Sequence, residues 1–216
     1  RLRLRRHQRH PGVQAPLIPS RPAAALNTLA LPPGTDLLQL QAADPATFPL
    51  LLESVAGGNA LSRWDLLLAT TGEGLRLDAD GQVRALEDGR ELGGDFLALL
   101  DARWQAQGAT ARPAGLPFSG GWALFFAYEL AAQVEPRLRL PRAPGPLPVA
   151  LAWRCPAAVL RDRESGACFA VAADDARQWL PRLAEATAAA DPVSGPLALA
   201  APRLEEDAPA RFLQGV

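Results

Sequence analysis

Short apolar runs, interrupted every few residues by glycine, proline or charged residues, make up most of the chain after residue 35. Runs of this length are typical of strands, and we predict strands at 36–41, 50–54 and 64–70. The first run alternates only weakly, whereas the second, LLLES, is expected to be a buried strand. Residues 75–89 alternate on both sides of an ADG triplet, so they predict a β-hairpin whose turn contains Gly81.

The apolar period becomes helical at residues 93–108, and Gly108 is a typical C-terminal stop. This pattern predicts a helix with one apolar face. The face comprises Phe96, Leu97, Leu99, Leu100 and Trp104.

Two further segments indicate helices. A short helix is predicted from Asp44, as N-cap with Pro45 at the first helical position, to Pro49, which must end it. Residues 174–190 predict a longer helix, capped by Asp174 or Asp175 at its start, in which Pro181 forces a kink or a late start.

The segment PVALAWRCPAAVLRDRESGACFAVAAD, residues 148–174, predicts a meander in which RESG reverses two strands. Strand-rich segments interrupted by a few helices, without a regular strand–helix alternation, indicate an α+β fold. No internal repeat is found.

The first 35 residues differ in composition from the rest. They hold clustered arginines, several prolines and both histidines, so we expect residues 1–35 to be a disordered basic leader. The alternative is a basic arm for nucleic acid or acidic lipid. The net charge of the 216-residue chain is −1, so neither a nucleic acid nor a membrane is expected as a partner.

The residue inventory excludes several kinds of chemistry. With both histidines in the leader, the predicted folded part has none, which removes Ser-His-Asp, Cys-His and His-metal sites. Cys155 and Cys168 lie in strand-like contexts and are expected to be buried, inert thiols without a metal. No apolar run is long enough to span a membrane, so we expect a cytoplasmic protein. Because the chain starts on Arg1 and contains no methionine, we expect it to be part of a longer protein.

The stretch LPFSGGWALFFAYELAAQVEP, residues 116–136, combines a glycine pair with an aromatic run and the chain's single tyrosine. It lacks the glycine spacing of a phosphate-binding loop, and the chain contains no lysine. Gly120 and Gly121 are expected to allow a bend or bulge at the entry to a strand. WALFFA has no polar face, so both faces of that strand are expected to be covered. Tyr128 and Glu129 mark its exit.

The stretch LLLESVAGGNALSRWDLLLAT, residues 50–70, places Glu53, Ser54 and Arg63 near strand ends. A carboxylate, a hydroxyl and a guanidinium together can hold a zwitterion such as an amino acid. The alternative is that Glu53 and Arg63 form an exposed ion pair and Ser54 simply ends its strand.

In order and separation, these two stretches resemble two signatures of the anthranilate synthase / aminodeoxychorismate synthase component I family. LLES followed by a small-Arg-aromatic strand resembles the first signature. The second resembles PF-x-GG…Y-[DE]-x…E. Leu124 and Ala127 stand where members of the family often have glycine. The matching residues of the second signature are Pro117, Phe118, Gly120, Gly121, Tyr128, Glu129 and Glu135.

The resemblance implies a fold of β-sandwich-like antiparallel sheets with a few flanking helices over residues 36–190. It also implies that 191–216 form a linker toward a missing chorismate-binding catalytic domain. That domain would use magnesium and ammonia from a glutamine amidotransferase subunit, so no catalytic residue is carried over to this chain. In such proteins the first signature lines a tryptophan pocket, which implies a site here at Leu52, Ser54, Arg63 and Trp64.

The resemblance favours a non-catalytic N-terminal region on the aminodeoxychorismate branch, which leads to p-aminobenzoate and folate. The alternatives are the same region on the anthranilate branch, which leads to tryptophan, and a free-standing β-rich binding module.

Overall fold

A computed structural model describes residues 27–54, 62–108, 115–135, 137–141 and 145–189. Within these residues the chain forms nine strands and four α-helices. In chain order they are β1 Thr28–Leu31, α1 Leu37–Ala43, β2 Leu50–Leu52, β3 Trp64–Ala69, β4 Gly74–Leu77, β5 Val83–Ala85, α2 Phe96–Ala106, β6 Gly121–Phe126, α3 Ala131–Val134, β7 Ala150–Cys155, β8 Ala157–Asp162, β9 Cys168–Ala172 and α4 Trp179–Ala189.

The strands form two sheets, and every strand pair among the described residues is antiparallel. The first sheet has the order β1-β9-β8-β3-β2, and the second has the order β5-β4-β7-β6. Two antiparallel sheets with separate helices make this an α+β fold, as predicted.

Three apolar clusters arrange these elements in layers. The outer face of the first sheet packs against α1 and α4, where Leu37, Trp179 and Leu183 are buried. A second cluster draws Leu68 and Leu160 from the first sheet together with residues of β6 and β7 from the second. The other face of the second sheet packs against α2. The order of layers is therefore helix, sheet, sheet, helix.

The structure confirms the hairpin at β4 and β5 and the helix α2. Gly81 in the hairpin turn has φ +85°, which glycine adopts without steric cost. Asp95 caps α2 by accepting a hydrogen bond from the Ala98 amide at 2.9 Å. Phe96 is fully buried, but Trp104 on the same predicted face is 61% exposed.

The predicted strand at 36–41 is wrong, because this segment forms α1. The Asp36 carboxylate accepts from the Gln39 amide at 3.1 Å and caps the helix. Leu37 and Leu40, three residues apart, lie on one helical face and are both buried. Tertiary burial of this face outweighs the weak alternation of the sequence.

The predicted helix from Asp44 to Pro49 is also wrong, because residues 45–47 form a turn. Asp44 is the C-cap residue of α1, and its Oδ1 accepts from the Thr47 amide at 3.1 Å. An aspartate side chain that accepts a hydrogen bond from the backbone amide three residues later favours a turn as readily as a helix start.

The predicted meander at 148–174 is only partly correct. β8 and β9 form the expected hairpin, but β7 belongs to the second sheet. Pro156 lies between β7 and β8, where the chain passes from one sheet to the other. Proline has no amide hydrogen to contribute to a sheet, which suits this crossing point.

Helix α4 begins late, at Trp179, with Pro181 in its first turn, where proline is tolerated. Asp174 and Asp175 do not cap α4, since both lie in a separate 3₁₀ turn, Asp174–Ala176. The capping prediction is therefore wrong.

Strand β1 lies inside segment 1–35, the predicted leader. It pairs along its full length with β9, from Thr28 opposite Val171 to Leu31 opposite Cys168. Asn27 Nδ2 also donates to Asp174 Oδ1 at 2.6 Å. The first sheet therefore begins before residue 36. The rest of the leader, residues 1–26, and the predicted linker lie outside the described residues.

Candidate functional site

The glycine pair of the second signature makes a close backbone contact between the two sheets. Gly120 has φ +102°, and a Cβ at this position would lie 2.7 Å from the Ala173 Cβ. Gly121 then opens β6, and Phe118 packs in the cluster between the sheets. The predicted bend at the entry to the strand is confirmed at Gly120, which needs both a left-handed conformation and the space of a missing side chain. Gly121 has no positive φ, and a Cβ there would make an ordinary contact with Phe118 at 3.5 Å.

The expectation that both faces of β6 are covered is wrong for the described part of the chain. Leu124 is 52% exposed, Phe125 43% and Phe126 47%. Phe126 contacts Phe96 of α2 edge-on, with ring centroids 6.2 Å apart. Strand β6 also lies at the end of the second sheet, where it pairs only with β7 among the described strands.

The free edge of β6 differs from the other sheet edges. The first sheet ends in the short strands β1 and β2, of four and three residues. Strand β5 is partly covered, because Leu92 donates to the Val83 carbonyl at 2.8 Å and Ala85 donates to the Arg90 carbonyl at 2.9 Å. Strand β6 has six residues, GWALFF, without charge or proline. Natural proteins rarely leave such an edge open to solvent.

The exit of β6 places Tyr128 and Glu129 in a 3₁₀ turn. Tyr128 is 79% exposed, so its hydroxyl can reach water or a partner. Leu130 of the same turn is buried and anchors it on the second sheet. Glu135 is exposed, and its Oε1 accepts from the Arg137 amide at 3.3 Å.

The residues predicted for a ligand pocket lie at one end of the first sheet. Leu52 pairs with Leu66, so its side chain is on the same face as Trp64, two residues earlier on β3. Trp64 packs against Phe169 with ring centroids 6.4 Å apart. The Arg63 guanidinium carbon lies 5.1 Å from the Trp64 ring centroid. An apolar, aromatic surface is therefore present, with Leu52 51% exposed beside it.

The charged groups at this end are paired differently from either sequence-based interpretation. Arg63 donates to both oxygens of Asp162, at 3.1 and 2.7 Å. These hydrogen bonds hold the pKa of Asp162 well below its usual range. Glu53 instead contacts Arg161, at 3.3 Å. The predicted Glu53–Arg63 ion pair is therefore absent, and Arg63 is engaged by an internal carboxylate.

Ser54 lies at the same end, and its backbone carbonyl accepts a hydrogen bond from Arg163. The structure thus brings Ser54 and Arg63 to one region of the first sheet. Residues 55–61, between Ser54 and Arg63 in the first signature, lie outside the described residues.

Asp65 is a buried residue here that the sequence interpretation missed. It is 1% exposed, and its Oδ2 accepts from Arg161 Nε and Nη2 at 2.9 and 2.7 Å. Its Oδ1 is buried without a hydrogen-bond partner among the described residues. The available signal was an aspartate inside the apolar run WDLLLA, since a charge in a buried strand requires a partner.

A cavity between α2 and β6 was also missed. Its volume is about 410 Å³. It lies on the face of β6 that carries Trp122 and Leu124. The cross-strand neighbours of these two residues on β7 are Arg154 and Ala152. The residues that line it are Leu97, Leu100, Asp101, Trp104, Gly121, Trp122 and Leu124.

The two cysteines are buried and free. Burial raises the pKa of the Cys155 thiol to about 11. The expectation of a buried thiol is confirmed for both residues. In the described part of the chain, no group of three or more His, Cys, Asp or Glu side chains is placed to hold a metal ion. No described helix has both the length and the apolar composition needed to cross a bilayer.

The sequence and the α+β architecture can be compared with those of known proteins. No protein-family model and no curated protein matches the chain. Among solved structures, the chain is similar to anthranilate synthase component I from Streptococcus pneumoniae TIGR4, with 15% identity and a TM-score of 0.48. The match covers 64% of this chain and 32% of that chain. The chain thus spans about a third of that protein's length, and a likeness at this level does not establish family membership.

Proposed function

We propose that the chain is the non-catalytic N-terminal region of an aminodeoxychorismate synthase component I. The two ordered signatures support the proposal. The geometry of the second signature supports the proposal further, because Gly120 of that signature has no room for a side chain. In this proposal the region acts as a scaffold for a chorismate-binding domain of the same protein.

The observation that carries the proposal is the uncovered strand β6. Its backbone edge is free among the described strands, and Leu124, Phe125 and Phe126 are each more than 40% exposed. An apolar strand of this kind requires a covering partner for solubility. A second domain that packs on the free edge of β6 and on the Tyr128 turn would cover that edge together with Phe125 and Phe126.

The chemistry is assigned to that second domain and not to this chain. Amination of chorismate to 4-amino-4-deoxychorismate, magnesium binding and the contact with a glutamine amidotransferase subunit all belong there. Because the catalytic domain lies outside this chain in the proposal, no magnesium-dependent step is placed here. The contribution of this chain is to fold, to present β6 and to position the partner.

The proposal includes a tryptophan site at Leu52, Ser54, Arg63 and Trp64. The aromatic surface formed by Trp64 and Phe169 suits an indole ring, while Arg63 would need to share its guanidinium between Asp162 and a ligand carboxylate. Binding would raise the melting temperature through ligand linkage. Ser54→Ala should weaken tryptophan binding more than Glu135→Ala does. Equal, negligible calorimetric heats for tryptophan and alanine would remove this site from the proposal.

The test uses the complete coding sequence and the complete protein. Given chorismate, magnesium and ammonia, it should form 4-amino-4-deoxychorismate. Direct release of anthranilate would instead assign the region to the anthranilate branch. If the protein forms neither product, the family assignment fails and a free-standing binding module takes its place.

A substitution on β6 tests the scaffold role separately. Phe125→Asp should lower the activity of the complete protein at least tenfold, because a charge would have to be buried in the domain contact. Leu38→Asp is the matched control, since Leu38 on α1 is 56% exposed and lies away from β6. Equal activity of the two variants would contradict docking on β6.

A further inference from the structure

The cavity between α2 and β6 has the size and lining of a small-molecule site. Its volume of about 410 Å³ lies within the range of about 300–1,000 Å³ that is usual for ligand pockets. Among the described residues, three leucines and two tryptophans supply its apolar lining, and Asp101 is the one charged residue that also lines it. This combination constrains the chemistry of what can bind.

Among the described residues, Asp101 has a polar neighbour but no ion-pair partner. Gln105 Nε2 donates to Asp101 Oδ2 at 2.7 Å, which orients the carboxylate from one turn along α2. No arginine among residues 27–54, 62–108, 115–135, 137–141 and 145–189 forms an ion pair with it. Within the described part of the chain, the cavity therefore carries one negative charge without an ion-pair partner at an apolar wall.

The two indoles add to the attraction for positive charge. Trp122 Nε1 already donates to Gln107 Oε1 at 2.9 Å, so this N–H is occupied and the ring is held in place. Trp104 is 61% exposed on the same cavity, an unusual position for so large an apolar side chain. Tryptophan rings attract organic cations more strongly than other aromatic side chains do.

Two described arginines on the flanking elements, Arg154 on β7 and Arg103 on α2, are engaged elsewhere. Arg154 donates to the Gly121 and Cys155 carbonyls at 3.1 and 3.3 Å and pairs with Asp175 at 3.4 Å. Arg103 on α2 donates to the Gly74 carbonyl at 3.1 Å. Neither residue lines the cavity. Within the described structure, an anion would therefore meet Asp101 without a guanidinium from Arg103 or Arg154 to offset the repulsion.

We infer that the cavity between α2 and β6 binds an apolar organic cation, such as a ligand with an aromatic or branched body and an alkylated ammonium group. The apolar body would displace water from Leu97, Leu100 and Leu124, while the ammonium would lie between Asp101 and the indoles. This inference does not depend on the proposed function, because it rests on α2 and one face of β6 alone.

The test titrates the full 216-residue chain with three probes of similar size, by calorimetry and by NMR. The probes are benzyltrimethylammonium, benzyl alcohol and phenylacetate. The cation should bind at least fivefold more tightly than the neutral and anionic probes. Asp101→Asn and Trp104→Ala should each weaken cation binding about two- to fivefold, as expected for the loss of one exposed cation contact. Trp104→Phe should retain part of the affinity.

Two control variants separate the cavity from general surface effects. Asp88→Asn removes an exposed carboxylate near the β5 hairpin, and Tyr128→Ala removes an aromatic ring that is 79% exposed. Both should leave cation binding unchanged, and far-UV circular dichroism should show that every variant is folded. Equal affinity for the three probes, no binding of the cation at millimolar concentration, or an unchanged affinity in Asp101→Asn would each overturn the inference.

Discussion

Replacing Gly120 by alanine should be one of the most damaging single-methyl changes in this chain. The backbone there has φ +102°, and the added Cβ would meet the Ala173 Cβ at 2.7 Å, with the Ala173 Cα and amide nitrogen at 3.2 Å. A left-handed conformation costs a residue with a side chain about 1–2 kcal/mol. Overpacking at a tight contact adds about 1–3 kcal/mol. The free energy of unfolding should therefore fall by about 2–5 kcal/mol.

Gly72→Ala separates the two contributions. Gly72 has φ +86°, and nothing lies within 4 Å of a Cβ built on it. This variant should lose only the conformational part, about 1–2 kcal/mol. Any gain from reduced freedom of the unfolded chain is the same for both substitutions and cancels in the comparison. Urea unfolding followed by tryptophan fluorescence measures both variants.

A double variant tests the contact itself. Ala173→Gly removes the methyl group that clashes, so it should recover part of the loss in Gly120→Ala and give a coupling energy of about 1–2 kcal/mol. Recovery is incomplete because the Ala173 backbone also lies at 3.2 Å. The reasoning is refuted if Gly120→Ala is no more destabilising than Gly72→Ala, or if the cycle shows no coupling.

Three further outcomes follow from buried or paired groups. Hydrogen bonds from Arg63 lower the pKa of Asp162 in the folded state, so this carboxylate stabilises the protein above its unfolded pKa of about 4. That stability is lost as the pH falls from there toward the folded pKa. Urea midpoints from pH 7 to pH 3 should fall less steeply in Asp162→Asn, and parallel profiles would contradict this. Asp65→Ala should cost about 2–4 kcal/mol, because it removes a buried partner of Arg161. Asp88→Ala, in an exposed pair, should cost much less than Asp65→Ala, and similar urea midpoints for the two variants would show that burial of Asp65 contributes little. Because burial raises the pKa of Cys155 to about 11, an aromatic disulfide reagent at pH 8 should react with it only after unfolding; rapid reaction of the native protein would show that the thiol is accessible.

Local signals predicted several elements correctly because local chemistry decides them. Asp95 caps α2 through its own hydrogen bond to Ala98, and the turn of the β4–β5 hairpin depends on Gly81. Gly120 was likewise recognisable as a position that needs backbone freedom. These features depend on a few neighbouring residues, so their sequence is sufficient to indicate them.

The errors occur where distant packing decides between two local possibilities. Residues 36–41 suit a weak strand or a short helix, and burial of Leu37 and Leu40 against the first sheet selects the helix. The short strand β1 depends on pairing with β9, about 140 residues later. Pro156 was visible, but only the tertiary structure shows that it separates strands of different sheets.

The candidate sites divide in the same way. The sequence by itself determined which groups are available: no histidine or lysine in the described residues, a glycine pair before an apolar strand, and isolated acids such as Asp65 and Asp101. The tertiary structure decided their partners, since Arg63 pairs with Asp162 and Glu53 with Arg161 across the first sheet. It also decided that β6 is an edge strand. The physical reason is that exposure and ion pairing depend on which strands become neighbours, and strand order is set by packing of the whole chain, not by the residues of one segment.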